Sequence, residues 1–375
     1  MNFDYSEEEK ALKEQVRRLL AGRGGTQAAR RVLEGEGDGG AAFDRTLWVE
    51  MARLGWLGAA IPTGYGGQGL GYAPLCAIAE ELGRGLAAVP TVSSIYLAAE
   101  ALLLAGSEAQ KRRFLPAIAQ GELVGTLALV EGVGALMPAA IRAHVRARRL
   151  EGTKLVADGG IAGLAIVAAR DETGAPRLYL ADLTAPGVRR ESIASIDPSR
   201  PWSRLSFDAV PVDPLGEAGG VDWATLERVL QRAAVLVAFE QLGGADRCLE
   251  LAREHALQRE AFGRIIGQYQ AVKHRLADMY VANELARSNA YYGAWALDSG
   301  PDELPMAAAV SRIAACEAFE RAARDLTQTL GGIAATWVHE AHLYYRRSRL
   351  LAVQLGTAGE WRDRLATLVD RIVAA

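Results

Sequence analysis

The hydrophobic rhythm of this chain changes twice, and that order limits the fold more than any other feature of the sequence. Up to about Glu122 the apolar residues recur at helical spacing. Ser6 precedes a glutamate-rich first turn as an N-cap, and Leu12, Val16, Leu19 and Leu20 follow on one face. Residues 61–71 interrupt this with Pro62 and five glycines, which predicts a loop. From about Leu123 the pattern becomes short apolar runs bounded by glycine and proline, at 164–169, 178–183 and 205–210. Such runs suit strands of an antiparallel sheet. After Pro214 the helical spacing returns and persists to the end, broken only around Ser299-Gly300-Pro301 and Pro305. Helices over 1–122, strands over 123–214 and helices over 215–375 are therefore expected.

A length of 375 residues exceeds what one hydrophobic core supports, so two or three domains are expected. The formal net charge of −3 argues against a nucleic-acid partner. Cys76, Cys248 and Cys316 lie far apart without CxxC spacing, which favours buried thiols over disulfides or a metal site. The opening MNFDYSEEEKALKEQ is acidic and amphipathic rather than a secretion leader. No apolar run approaches bilayer length. The expectation is a soluble cytoplasmic protein with no membrane insertion.

The stretch most suggestive of chemistry is REAFGRIIGQYQAVKHRLADM, residues 259–279. It joins helix to helix through a turn bearing Gly263 and Gly267, and Val272, Leu276 and Met279 give the second helix an apolar stripe. An arginine beside a helix start suits a phosphate or pyrophosphate, because a forked guanidinium meets unpaired backbone N–H groups. An arginine near a turn is equally often a solvated side chain. The whole string, however, resembles the flavin-pyrophosphate segment of the acyl-CoA dehydrogenase family. GWLGAAIPTGYGGQGLG (55–71), AEELGRGLAAVP (79–90), QKRRFLPAIAQGE (110–122) and QTLGGIAATW (328–337) are similar to further segments of that family, in the family's order.

The resemblance implies an α+β, mostly α fold: an N-terminal helical domain, a middle β-barrel-like domain and a C-terminal four-helix bundle. It implies FAD as cofactor, an acyl-CoA thioester as substrate and an electron-transfer flavoprotein-type acceptor. In such a reaction a carboxylate takes the α-proton while the flavin takes the β-hydride. The family's usual base belongs to a Tyr-Glu-Gly-Thr-like segment, which here reads Gln354-Leu355-Gly356-Thr357, so the base position holds Leu355. An earlier base position used by some relatives holds Ala233. Glu240, interrupting the apolar run 233–239, is the remaining candidate. It reads either as a base or as a helix carboxylate paired with Arg232 or a neighbouring helix. Two turns, about ten ångströms, separate it from the position of Ala233, which counts against direct substitution.

The family's flavin-ring loop, Thr-Glu-Pro-x-x-Gly-Ser-Asp-like, corresponds to Leu129-Val130-Glu131-Gly132-Val133-Gly134-Ala135-Leu136, without the threonine and the Ser-Asp pair. The strand that usually reads Trp-Ile-Thr after Gly-x-Lys is Lys154-Leu155-Val156-Ala157-Asp158. The other half of the flavin site is intact. Arg259 and Gln270 match residues that reach across a dimer interface to the pyrophosphate, and Phe262 matches one that packs on the cofactor. Gln328, Gly331 and Gly332 match the segment whose backbone approaches the ADP portion. Singly, Gly331-Gly332 reads as a helix cap and Gln328 as a surface amide.

His339 and His342 lack a third ligand for a metal. Arg346, Arg347 and Arg349 suit CoA phosphates or, more simply, a solvated or paired helix face. Trp337, Tyr344 and Tyr345 read as packing residues. A chain that keeps one half of a shared cofactor site looks like the smaller subunit of the α2β2 dehydrogenases that shorten steroid side chains, completing the FAD site of a homologous partner. Two other readings stay open: a homomeric dehydrogenase using Glu240, and a non-catalytic scaffold or acyl-CoA-binding relative.

Overall fold

The computed structural model describes residues 5–36, 42–132, 134, 136–217 and 221–374. The chain divides into two compact units, each assembled from separate stretches of sequence: Arg31–Gly71 with Ala88–Ala233, and Met1–Arg30 with Tyr72–Ala87 and Ala234–Ala375. The N-terminal helices are α1 (Glu7–Gly22), α2 (Thr26–Leu33), α3 (Arg45–Arg53), α4 (Tyr72–Arg84), α5 (Glu100–Ala105) and α6 (Glu108–Ala119). Strands β1 (Gly125–Ala128), β2 (His144–Arg146), β3 (Arg149–Ala157), β4 (Leu164–Arg170), β5 (Pro176–Asp182), β6 (Val188–Ile193) and β7 (Trp202–Pro214) follow. Next come α7 (Trp223–Gln258), the hairpin β8 (Glu260–Ala261) and β9 (Arg264–Ile265), and α8 (Gln270–Asp298), α9 (Leu304–Leu330), α10 (Ala341–Gln354) and α11 (Ala358–Ala374).

In the first unit the sheet closes on itself. β4 pairs with β5, β5 with β7, β7 with β3, β3 with β2 and β2 back with β4. This ring of pairings is the barrel-like domain that the family resemblance implies, built on the strands that the glycine-bounded runs predict. Its interior holds Val145, Leu150, Val156, Val167, Leu205 and Phe207. A bulge between Leu150 and Gly152 bends β3, and there a Cβ on Gly152 would lie 2.6 Å from that of Ala143. β6 escapes a sequence reading because it pairs only along β7 and carries Arg189, Arg190 and Glu191 in the open. A π-helical stretch, Val92–Ala99, is buried throughout, and its Ser93 hydroxyl donates to Asp158 at 2.6 Å.

The second unit is helical. Ser6 caps α1 with a full capping box, its hydroxyl accepting from Glu9 N while the Glu9 carboxylate accepts from Ser6 N. α4 and α7 cross at paired glycines. A Cβ on Gly83 would fall 1.8 Å from the carbonyl oxygen of Glu240, and one on Gly243 would fall 1.8 Å from that of Glu80. No larger residue fits at either position without parting the helices. Charges inside the bundle are matched: Lys13 lies 2.6 Å from Glu80, which is also 3.2 Å from Arg287, and Arg287 pairs onward with Asp246. All three cysteines are buried and free. Among the described residues no helix is long and apolar enough to cross a membrane.

Candidate functional site

α7 ends at Gln258, and the chain turns through a two-strand hairpin before α8 begins. At its tip Phe262 and Gly263 both have positive φ, +53° and +77°. Glycine adopts that region freely, whereas a phenylalanine there sacrifices about 1 kcal/mol or more. The ring receives nothing in return within this chain, because Phe262 is 97% exposed. Tyr269 braces the hairpin: its hydroxyl donates to the Ala261 carbonyl at 3.0 Å, and the Arg264 guanidinium stands 4.0 Å from its ring centroid. This brace is invisible in the sequence, where Tyr269 is only one more aromatic. Arg259 is exposed beside it, with its carbonyl accepting from Ile266 N at 2.8 Å. Tyr269 offers no side-chain cap to α8, so the first amides of that helix, beginning at the exposed Gln270, point toward an anion-friendly end.

The second predicted group lies at the far end of α9, and the helix register carries it to the same end of the bundle. α8 and α9 are antiparallel: the Ser311 hydroxyl donates to the Asn289 carbonyl at 2.6 Å, and Arg321 lies 3.7 Å from Asp278. Continuing that register brings the start of α8 level with Leu330. Gln328, Gly331 and Gly332 are exposed there. The two glycines differ. Gly331 ends α9 with φ +68°, a conformation that itself calls for glycine. Gly332 has no such requirement, and a Cβ there would have no heavy atom within 4 Å. Among the described residues no neighbour explains why Gly332 lacks a side chain.

The flavin-ring loop has the opposite character. Val133 and Ala135 lie outside the described residues; the Leu129 and Val130 carbonyls and the Glu131 carboxylate are engaged by the chain itself. Glu131 accepts from Lys154 at 2.6 Å and from the backbone amides of Arg142 and Ala143 at 2.9–3.0 Å. Lys154 is fully buried and also donates to the Leu129 carbonyl at 3.2 Å. Burial pushes its ammonium down from the ordinary lysine range, and Glu131 pulls it back. Leu155 N donates to the Val130 carbonyl at 2.7 Å, and Val156 is buried. An adjoining cavity of about 620 Å³ is lined by Val130, Glu131, Arg142, His144 and Thr153.

Neither family base position offers a carboxylate. Ala233 is fully buried, and its neighbour Arg232 lies 3.5 Å from Glu100, a pairing that sequence spacing does not reveal. Leu355 is buried at the end of α10, its carbonyl accepting from Trp361 Nε1 at 3.0 Å. Glu240 is fully buried on α7 where that helix meets α4. Of the arginine cluster on α10, Arg347 is buried and donates to the Ala87 carbonyl at 3.4 Å, and Arg349 pairs with Glu320 at 2.7 Å. Tyr344 is buried with its hydroxyl donating to the Arg84 carbonyl, and Trp337 stacks on His342. Among the described residues no group of three or more His, Cys, Asp or Glu could hold a metal.

Residues 6–122 match the acyl-CoA dehydrogenase N-terminal domain and residues 220–367 the C-terminal domain. The acyl-CoA dehydrogenase IpdE2 of Mycobacterium tuberculosis is 31% identical over 97% of this chain and 98% of its own length. Among solved structures, a variant of the steroid ACAD Tcur3481–Tcur3483 superposes with a TM-score of 0.87 at 32% identity, covering 98% of this chain and 99% of that one. A chain of the ChsE4–ChsE5 complex of Mycobacterium tuberculosis gives a TM-score of 0.88 at 28% identity, with 99% of each chain covered. The chain belongs to the acyl-CoA dehydrogenase family, FAD-dependent oxidoreductases acting on CH–CH bonds.

Proposed function

We propose that this chain is one subunit of a heteromeric acyl-CoA dehydrogenase, lending the pyrophosphate and ADP side of an FAD site whose ring bed and base belong to a homologous partner. The observation that carries the reading is Gly332, whose missing side chain answers to no neighbour among the described residues. A cofactor held by another subunit supplies that neighbour. Phe262 supports the same reading: covering it would recover about 1.5–3 kcal/mol of apolar burial from a ring that now stands in water.

Within such a site each residue of this chain has a distinct task. The Arg259 guanidinium would hold the pyrophosphate with charge-assisted hydrogen bonds. Gln270, at the uncapped start of α8, would add an amide where the helix dipole already favours an anion. Gln328 and the bare backbone of Gly331 and Gly332 would meet the ADP portion, and Phe262 would pack on the cofactor. A bound FAD would supply the hydride acceptor for the reaction at the acyl-CoA β-carbon. This chain would bring no base to that step, since Leu355 and Ala233 carry no proton acceptor.

A steroid-type, bulky acyl-CoA as substrate, an α2β2 assembly and an electron-transfer flavoprotein as acceptor extend this reading by analogy with the heteromeric relatives. The homomeric alternative would have to draw a base from Glu240, which is fully buried. The two separate on flavin content. Purified alone, the chain should be colourless and inactive toward straight-chain acyl-CoAs; co-produced with a homologous dehydrogenase chain, it should elute as a yellow complex. A yellow homomer that turns over with an artificial acceptor would overturn the reading.

A further inference from the structure

Residues 331–340, which carry the ADP-facing glycines, are poorly buried: Ile333 is 44% exposed, Trp337 45% and Val338 83%. A cavity of about 720 Å³ lies behind them, bordered by Val338, His339 and Glu340 on one side and by Leu20, Gly24 and Gln27 on the other. Side-chain packing therefore does little to back this segment, and a segment with few buried contacts opens readily. Directed polar tethers hold it instead. The Thr26 hydroxyl, at the start of α2, donates to the Glu340 carboxylate, and the Arg247 guanidinium on α7 lies 3.6 Å from the same carboxylate. Arg247 is itself fixed by Glu250 at 3.2 Å and Glu254 at 3.4 Å. Arg30 donates to the Trp337 carbonyl, with its guanidinium 5.9 Å from the indole centroid. Glu340 stands at the N-cap of α10 yet makes no side-chain cap bond there. Its carboxylate is turned away from the helix start, where it would ordinarily serve, toward α2 and α7.

We propose that Thr26, Arg247 and Glu340 are positioning residues for the cofactor half-site: they clamp residues 331–336 onto α2 and α7 of the same chain, and so set how tightly the partner's FAD is held. This rests on the shared-site reading above. A backbone that must meet a ligand is effective only if it is held to a fraction of an ångström by its supporting shell.

The test uses the lone chain and the reconstituted heteromer. Thr26→Val removes the hydroxyl donor at nearly constant shape, Thr26→Ser restores it, and Glu340→Gln keeps the shape while removing the charge. In the lone chain, Thr26→Val and Glu340→Gln should speed hydrogen exchange at the amides of residues 331–336 about tenfold with little change in melting temperature. In the heteromer they should weaken FAD binding about five- to tenfold, and Thr26→Ser should match the wild type in both measurements. Arg259→Ala, run in parallel, should weaken FAD binding without altering that exchange. Unchanged FAD affinity in Thr26→Val and Glu340→Gln, alongside a loss in Arg259→Ala, would overturn the clamp and leave the shared site standing. Unchanged affinity in all three would overturn both. If Glu340→Gln does not fold, the Thr26 pair decides alone.

Discussion

The hairpin end of the helical bundle and the loop beside β3, which the proposed function assigns to the two halves of one kind of cofactor site, look unlike each other. At the bundle end Arg259, Phe262, Gln270 and Gln328 stand exposed, and Gly332 has open space around it. At the loop Glu131 already accepts three hydrogen bonds, Lys154 is fully buried, and the Val130 carbonyl is closed against Leu155 N. A surface made for a ligand held elsewhere looks unfinished within its own chain. A surface released from ligand duty has its polar groups satisfied internally, because buried unpaired groups are costly whatever the function.

The sharpest contrast comes from substitutions that should affect one region and not the other. Lys154→Met leaves the Glu131 carboxylate with one charged partner fewer; it should destabilise the chain by roughly 3 kcal/mol or more in urea unfolding while leaving the FAD affinity of the heteromer unchanged. A loss of FAD affinity there would mean that the loop still serves a flavin. Arg259→Ala should do the reverse, leaving unfolding unchanged and weakening FAD binding by about one to two orders of magnitude in flavin titration at fixed ionic strength. Arg259→Lys should recover only part of this, since an ammonium lacks the bidentate fork. Equal affinities would reduce Arg259 to a solvated turn residue.

The neighbouring glycines give a finer comparison. Gly331→Ala should destabilise the lone chain by about 1 kcal/mol through its φ. Gly332→Ala should leave the lone chain within about 0.5 kcal/mol of wild type and lower FAD affinity of the complex about fivefold through overpacking. If Gly332→Ala binds FAD normally, no ligand approaches that position. The smallest effect belongs to Leu355→Glu, which returns a carboxylate to the family's base position without returning a ring bed. The lone chain should stay colourless and inactive; an active yellow homomer would show that the ring bed survives.

Sequence pattern revealed α1 and β7, each with one apolar face, and β4 and β5, short apolar runs buried on both faces and bounded by turn residues. It did not reveal β6, whose exposed charges give no alternation, or the π form of Val92–Ala99, which is buried on every side and so has no polar face to mark its period. The exposed half of the candidate site was legible because its residues stand in one contiguous motif and a second short one. Lys154–Glu131, Arg232–Glu100 and Thr26–Glu340 were not, since each joins residues distant in sequence and a single polar pair leaves no periodic trace. Arg347 misleads for a similar reason: among Arg346 and Arg349 it reads as one of a solvated cluster, yet it is buried against the Ala87 carbonyl.

Phe262 also bears on how the chain is made in a cell. Each copy released without a partner carries an uncovered aromatic on a hairpin tip, with Leu257 and Tyr280 also exposed nearby in sequence. Surplus copies would therefore offer an adhesive patch to one another and to chaperones. On the proposed heteromeric reading, balanced synthesis of the two subunits then becomes a requirement of solubility as well as of catalysis. Phe262→Ser should raise the soluble yield of the chain expressed alone, and it should weaken assembly when the partner is present.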